Sequence, residues 1–302
     1  MLTIVFDHKP SNIEIVQALA EKTKEIPQKG TFQQCAESYL AAKDNVVSPS
    51  TIKGYISILK ALPDDFKRME ITRITQIDIQ TVINDYAGAH SPKTTRNVHG
   101  FISAVLRQFR PDMNIYTTLP QKRVDERYEP SEDDIKRILE ASKDDPFYHI
   151  PFQLGIMGLR RSEICALTLD DIDENTLTIN KALVTDKNNN WIVKATKTAA
   201  GTRKIYIPDH LAEEIRKNGS IYSGYPNTLL LGLNKYQDKL QIPRFRFHDL
   251  RHFFASYAHS KGVSDADIMA TGGWKSDYTM KQIYRHEMKA NEAQKKVFDS
   301  LI

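Results

Sequence analysis

The chain has 302 residues, enough for two domains of ordinary size, and its 40% hydrophobic and 26% charged residues are the proportions of a soluble globular protein. No run approaches the ~20 apolar residues of a membrane helix, the N-terminus lacks the basic-then-apolar order of a signal peptide, and two distant cysteines, Cys35 and Cys165, make neither a disulfide framework nor a zinc site and suit a reducing cytosol. A net charge of +4 leans towards nucleic acid without demanding it, because many enzymes with no anionic partner are as basic.

Residues 1–30 carry two patterns and read as an N-terminal extension. Leu2-Thr3-Ile4-Val5-Phe6 has the look of a short strand; Ile13, Val16, Leu19 and Ala20 have helical spacing; Pro27 and Gly30 then break the chain. Residues 31–112 read as a bundle of about four helices. Phe32, Cys35, Ala36, Tyr39 and Leu40 line the first, and Ser48-Pro49-Ser50 opens the second, with Ile52, Tyr55, Ile56 and Leu59 following. Ile77, Ile79, Val82, Ile83 and Tyr86 line the third; Ser91-Pro92 opens the fourth, carrying Val98, Ile102, Val105, Leu106 and Phe109. Residues 113–129 carry prolines and charges with little periodicity and read as a linker, extended from Thr118 onward.

The second domain, 130–302, opens on Pro130-Ser131 and the acidic turn Glu132-Asp133-Asp134, which suits a helix N-terminus. Helices follow to about Leu167. Leu177 and Ile179, then Trp191-Ile192-Val193, then Ile205-Tyr206-Ile207 are β-rich, with turns at Asn188-Asn189-Asn190 and Ala199-Ala200-Gly201. The expectation is a mainly α protein whose second domain holds one small three-stranded antiparallel sheet. Helices resume near 209, and a short apolar tail closes the chain at Val297-Phe298 and Leu301-Ile302.

Reactive residue types gather in four islands. They are Gly158-Leu159-Arg160-Arg161-Ser162-Glu163; Thr196-Lys197-Thr198 before the last strand; His248-Asp249-Leu250-Arg251-His252; and Gly272-Gly273-Trp274, followed ten residues on by Tyr284. Each has an ordinary reading when taken alone. Arg160 has Glu163 one turn away for a salt bridge, Lys197 is a turn lysine, Trp274 is a core aromatic, and Tyr284 is one of 13 tyrosines. His248 and His252, at i and i+4, have the spacing of a zinc helix, but Asp249 stands between them where that motif has glutamate and no further ligand is evident. His252 and His259 read as structural.

In order and spacing the islands resemble the active-site boxes of the tyrosine recombinases, the phage-integrase-like enzymes, across roughly 128–290. The helical domain before them resembles that family's core-type DNA-binding domain more loosely. The resemblance implies a cleavage of DNA through a 3′-phosphotyrosine, with Tyr284 as nucleophile. Arg160 and Arg251 would hold the phosphate oxygens, because a guanidinium fork binds them bidentately and keeps its charge. Lys197 would protonate the departing 5′-oxygen. His248 would donate to the phosphate or accept the tyrosine proton, and Trp274, where many members have histidine, would only donate. Glu163 would support Arg160 or a neighbouring histidine.

No metal and no other cofactor is implied, and the ester conserves bond energy, so religation needs no ATP. The expected partners are double-stranded DNA attachment sites, with Lys53, Lys93, Thr94, Thr95, Arg96, Arg161 and Arg203 as candidate DNA contacts, several at a helix start that favours anions. A homotetramer exchanging the tail 285–302 is implied, with accessory DNA-bending or directionality proteins as further partners and no membrane. The use would be integration or excision of a phage or mobile element in the cytoplasm of a bacterial host, at the nucleoid. The rivals are a type IB topoisomerase-like enzyme and a catalytically silent DNA-binding protein of the same fold.

Overall fold

A computed structural model describes residues 30–44, 46–121, 128–195 and 201–284. The chain divides into two compact units; the second begins at Glu126 and includes all later residues except the hairpin tip Asp186–Asn189.

The first unit is helical. Its elements are α1 (Phe32–Lys43), α2 (Pro49–Ala61), the short α3 (Asp64–Arg68), α4 (Gln76–Ala89) and α5 (Pro92–Phe109). The starts are fixed by local chemistry. Thr31 and Gln34 form a capping box ahead of α1, Thr75 and Asp78 form another ahead of α4, and Ser91 caps α5 with proline in its first turn. Helix α5 turns Val98, Phe101, Ile102, Val105, Leu106 and Phe109 to the core. There Phe101 meets Tyr55 with ring centroids 4.9 Å apart, and Phe32 meets Phe66 at 4.8 Å.

The first part of the stretch expected as linker is docked on this unit. Met113, Ile115 and Leu119 pack against the core while Asn114, Tyr116 and Thr118 face out, a period of two that belongs to an extended chain. Two glutamines one turn apart hold its backbone as a neighbouring strand would. Gln76 accepts from the Tyr116 amide at 3.1 Å and donates to the Asn114 carbonyl. Gln80 accepts from the Thr118 amide at 2.9 Å and donates to the Thr118 carbonyl at 3.1 Å. Arg96 then donates to the Pro120 carbonyl at 2.8 Å. Residues 122–127 lie outside the described part, as do 1–29.

The second unit runs α6 (Glu132–Ser142), α7 (Pro146–Ile156), α8 (Arg161–Ile164), β1 (Ile172–Asp173), β2 (Thr176–Ile179), β3 (Lys181–Thr185), β4 (Trp191–Ala195), β5 (Arg203–Tyr206), α9 (Asp209–Asn218), α10 (Pro226–Leu240), α11 (Phe247–Ser260), α12 (Asp265–Gly272) and α13 (Asp277–Tyr284). Helices α7 and α11 form the centre of its core. Gly155 of α7 lets them close, since a Cβ there would meet Phe247 and Leu250 of α11 at 3.0 Å.

The strands pair differently from the sequence expectation. A three-stranded antiparallel sheet exists, in order β1-β2-β5, but Trp191–Ala195 is not in it. That strand instead forms a separate hairpin with Lys181–Thr185, in the register Thr185↔Trp191. The reason is local: Lys181-Ala182-Leu183-Val184-Thr185 lies just upstream of the Asn-rich turn and closes on Trp191 across the short loop 186–190. In the other sheet Leu177 faces Ile205 and Ile179 faces Arg203 across the ladder. Arg203 and Ile205 are buried while Lys204 and Tyr206 are exposed, so the pleat carries Arg203 inward.

Candidate active site

The site is assembled where α7 ends, α11 begins and α12 stops. Gly158, at φ +92°, turns the chain out of α7, and Arg160 becomes the N-cap of α8. Glu163 reaches back, accepting from the Arg160 amide at 2.9 Å and from the Arg160 guanidinium at 2.6 Å. Arg203 comes in from β5 and grips the same carboxylate with both prongs, at 2.9 and 3.3 Å. Burial alone would raise the Glu163 pKa; the hydrogen bond and charge of Arg203, with Arg160 behind them, reverse that and hold it below the ordinary carboxylate range.

Three arginines then converge on three consecutive carbonyls at the end of α12. Arg203 donates to Thr271 at 2.6 Å, Arg251 to Gly272, and Arg160 to Gly273 at 3.1 Å. A helix C-terminus suits this, because its last carbonyls lack helical partners and carry the negative end of the dipole. Arg251 also donates to the Gly158 carbonyl, and its guanidinium lies 3.7 Å over the Trp274 ring. The indole fits only because position 272 is glycine; a Cβ there would stand 1.8 Å from it.

The three guanidiniums differ in what they leave over. Arg203 is spent on protein acceptors. Arg160 keeps 38% of its side chain exposed. Arg251 is 1% exposed, yet its Nε and Nη2 have no hydrogen-bond partner among the described residues. Desolvation, with Arg160 next to it, pushes the Arg251 pKa down to about 8. A buried cation with two idle donors is stabilised by an anion placed against them. One carboxylate among three guanidiniums leaves the cluster positive, which favours the same ligand.

His248 stands in the first turn of α11, three residues before Arg251, with its ring 4.9 Å from that of His252. Desolvation, the neighbouring His252 and the guanidiniums of Arg251, Arg160 and Arg246 push its pKa down to about 4. Since solvent reaches the residue, the surrounding charge is the more durable of those causes. The imidazole is therefore neutral at neutral pH and able to accept a proton. The carboxylate of Asp249, which the zinc reading would place between the two histidines, is taken up by Arg246, from its backbone amide at 2.7 Å and its guanidinium at 2.6 and 3.1 Å. Among the described residues no three histidine, cysteine or carboxylate side chains gather as a metal site.

Arg160, Glu163, Arg251 and Trp274 are thus brought together. Tyr284 ends α13, the helix that follows the Trp274 turn, with its side chain outside the described part. Lys197 and the tail 285–302 also lie outside it. The DNA-contact candidates divide. Lys93 and Thr94 are exposed at the start of α5, and Lys53 and Arg161 are half-buried. Thr95 is fully buried with its hydroxyl on the Ser91 carbonyl, and half-buried Arg96 is engaged with Pro120. Arg203, expected on a phosphate, is 9% exposed and belongs to the interior. The alternation Arg203, Ile205, Ile207 signals its place on the apolar face of its strand but not the acceptors it meets there.

The family model described as "Phage integrase family" matches residues 131–291, and "Phage integrase, N-terminal SAM-like domain" matches 31–87. The fold is similar to that of the Tn1549 transposon integrase in complex with transposon right end DNA, at 16% identity and a TM-score of 0.72, covering 90% of this chain and 100% of that one. It is also similar to a lambda integrase dimer bound to a COC′ core site, at 18% identity and 0.63, covering 92% and 87%. A lambda integrase tetramer bound to a Holliday junction gives 19% identity and 0.62, covering 91% and 87%. No curated protein sequence matches the chain significantly.

Proposed function

Since the chain belongs to the phage integrase family and is a tyrosine-type site-specific DNA recombinase, we propose that it cuts and rejoins duplex DNA through a bond between Tyr284 and a backbone phosphorus. The phenol oxygen attacks phosphorus and the bond to the 5′-oxygen breaks, leaving a 3′-phosphotyrosine and a free 5′-hydroxyl. A phenol with a pKa near ~10 is only about 0.1% ionised at neutral pH, so the attack needs a proton acceptor and cationic surroundings. The imidazole of His248, neutral at neutral pH, is the acceptor for the phenol proton. Lys197 gives a proton to the departing oxygen. Arg160 and Arg251 neutralise the charge that spreads over the non-bridging oxygens, where catalysis of phosphoryl transfer is concentrated. Trp274 stacks on Arg251 and offers its indole N–H. Religation reverses these steps and draws on no ATP.

The observation that carries this reading is the pair of idle donors on buried Arg251, beside the half-exposed Arg160. Further proposals are that the enzyme acts on paired attachment sites as a tetramer, exchanging its tail 285–302, to move a phage or mobile element within a bacterial cytoplasm. The tetrameric lambda integrase structure supports the assembly. No described helix is long and apolar enough to cross a membrane.

Incubation in EDTA with nicked suicide duplexes, tiled across the DNA that flanks the gene, tests the chemistry. A covalent protein–DNA adduct that Tyr284→Phe abolishes is expected. An adduct that survives in the variant would move the nucleophile elsewhere; no adduct on any duplex would leave a silent DNA-binding protein.

A further inference from the structure

We infer that Arg203 is a positioning residue of the cleavage reaction, holding the phosphate-facing Arg160 in its reactive pose through Glu163 and anchoring both to the end of α12. The inference rests on the recombinase reading and extends it to a residue that touches no DNA.

Every part of the Arg203 guanidinium is committed inside the protein. Its two prongs hold Glu163, Nε donates to the Thr271 carbonyl at 2.6 Å, and Nη1 also lies 3.5 Å from the Gly201 carbonyl. Side-chain exposures of 6% for Arg203 and 3% for Glu163 place this pair out of water. Glu163 is also the acceptor that orients Arg160, at both its amide and its guanidinium. Without Arg203, one flank of that carboxylate is empty. Among the described residues the carboxylate is then held by Arg160 alone, so the group that orients Arg160 has no side-chain anchor of its own. Arg203 also joins the Glu163 box, 40 positions before it, to the box 68 positions after it, because the carbonyl it takes at Thr271 begins the run Thr271-Gly272-Gly273 on which Arg251 and Arg160 dock. Displacing that run displaces both phosphate ligands and the turn that leads into α13.

A lysine cannot replace this arrangement. Its single ammonium has no planar fork to match a carboxylate and no fixed second donor for Thr271. Displacements on the order of 1 Å at a reacting group cost about 100-fold in rate.

The test uses the full chain and the tiled nicked suicide duplexes, with single-turnover adduct formation followed at saturating DNA for wild type, Arg203→Ala and Arg203→Lys. The expected result is a rate constant lower by about 100-fold in the alanine variant and about 10-fold in the lysine variant, with DNA dissociation constants within about threefold of wild type. Millimolar guanidinium should partly restore Arg203→Ala. A purely structural residue would reduce the amplitude of the adduct burst and leave the rate constant intact, which overturns the inference. So does weakened DNA binding with an unchanged rate, which would return Arg203 to a DNA contact. If the alanine variant does not fold, the rate constant of the lysine variant decides. Absence of an adduct with wild type on every duplex overturns the recombinase chemistry and the positioning role with it; a wild-type adduct with an unchanged Arg203→Lys rate overturns the positioning role alone.

Discussion

Among the described residues, the polar side chains buried in the first unit are the uncharged Ser48, Thr95 and Ser103, whereas the second unit buries Asp134, Glu163, Asp171, Arg203, Asp249 and Arg251. Burying an ion costs several kcal/mol unless partners replace its water, so each buried charge has to be accounted for. Asp134, Asp171 and Asp249 are accounted for locally, since each carboxylate accepts the backbone amide of the residue three positions before it, at the start of a helical turn. Glu163, Arg203 and Arg251 go beyond any such need. They sit together where three carbonyls converge, in an interior more charged than stability alone calls for. The first unit shows what this protein builds when only packing is at stake.

The sharpest way to break that contrast is to remove the centre of each interior. Glu163→Ala strands buried guanidiniums and should cost about 3–5 kcal/mol at neutral pH; Phe101→Ala in the first unit should cost about as much through the cavity it leaves. They separate by pH. Because the Glu163 pKa is depressed in the folded state, its contribution is present above the ordinary carboxylate value of about 4.3 and is lost as pH falls through the folded value. Urea unfolding at neutral and acid pH should show the Glu163→Ala deficit shrinking and the Phe101→Ala deficit unchanged. Equal pH behaviour would mean that the buried carboxylate is not ionised.

A smaller effect is expected from Gly272→Ala, whose added methyl collides with the indole beneath Arg251. The expected loss is about 1–3 kcal/mol, with adduct formation falling more than stability accounts for. His248 gives a sign rather than a size. With its pKa in the free protein pushed down to about 4, the wild-type adduct rate at subsaturating DNA should stay level as pH falls through about 6.5, the ordinary histidine value, and drop only on nearing 4. The folded state resists that proton, so below about 6.5 the unfolded chain takes it first and stability declines with falling pH. A rate that halves near 6.5 would put an unperturbed imidazole in the site. Smallest is the double change Gln76→Ala and Gln80→Ala, which frees the backbone at 114–118. About 1 kcal/mol of first-unit stability is expected from such exposed bonds, read as a lower urea midpoint.

Most of the helical architecture was legible in the sequence because its signals are local. Proline-led starts at Pro49 and Pro92, Thr or Ser caps, and apolar residues at helical spacing are read within a turn or two. The positions of Arg160, His248, Arg251 and Trp274 were likewise given by short motifs. What escaped was set at longer range. Strand Lys181–Thr185 lacks a strict alternation, its residues being half-buried throughout, so it read as a connection. The docked extended segment at 113–119 shows its period of two only when Met113, Ile115 and Leu119 are set against polar Asn114 and Thr118, with exposed Tyr116 blurring the pattern. Arg203 read as a DNA contact because a basic residue near a hairpin is by default a solvated one. Its acceptors, Glu163 and Thr271, lie 40 and 68 positions away.

The glutamine-held segment changes where this protein can be dissected. A fragment ending at Phe109, where the last helix of the bundle stops, would leave Ile115 and Leu119 missing from the apolar interior they cover, and it would expose the surface beneath them to self-association. Carried through Pro120, the same fragment keeps its own lid, and the reach of any tether to the next unit is counted from there rather than from the helix end.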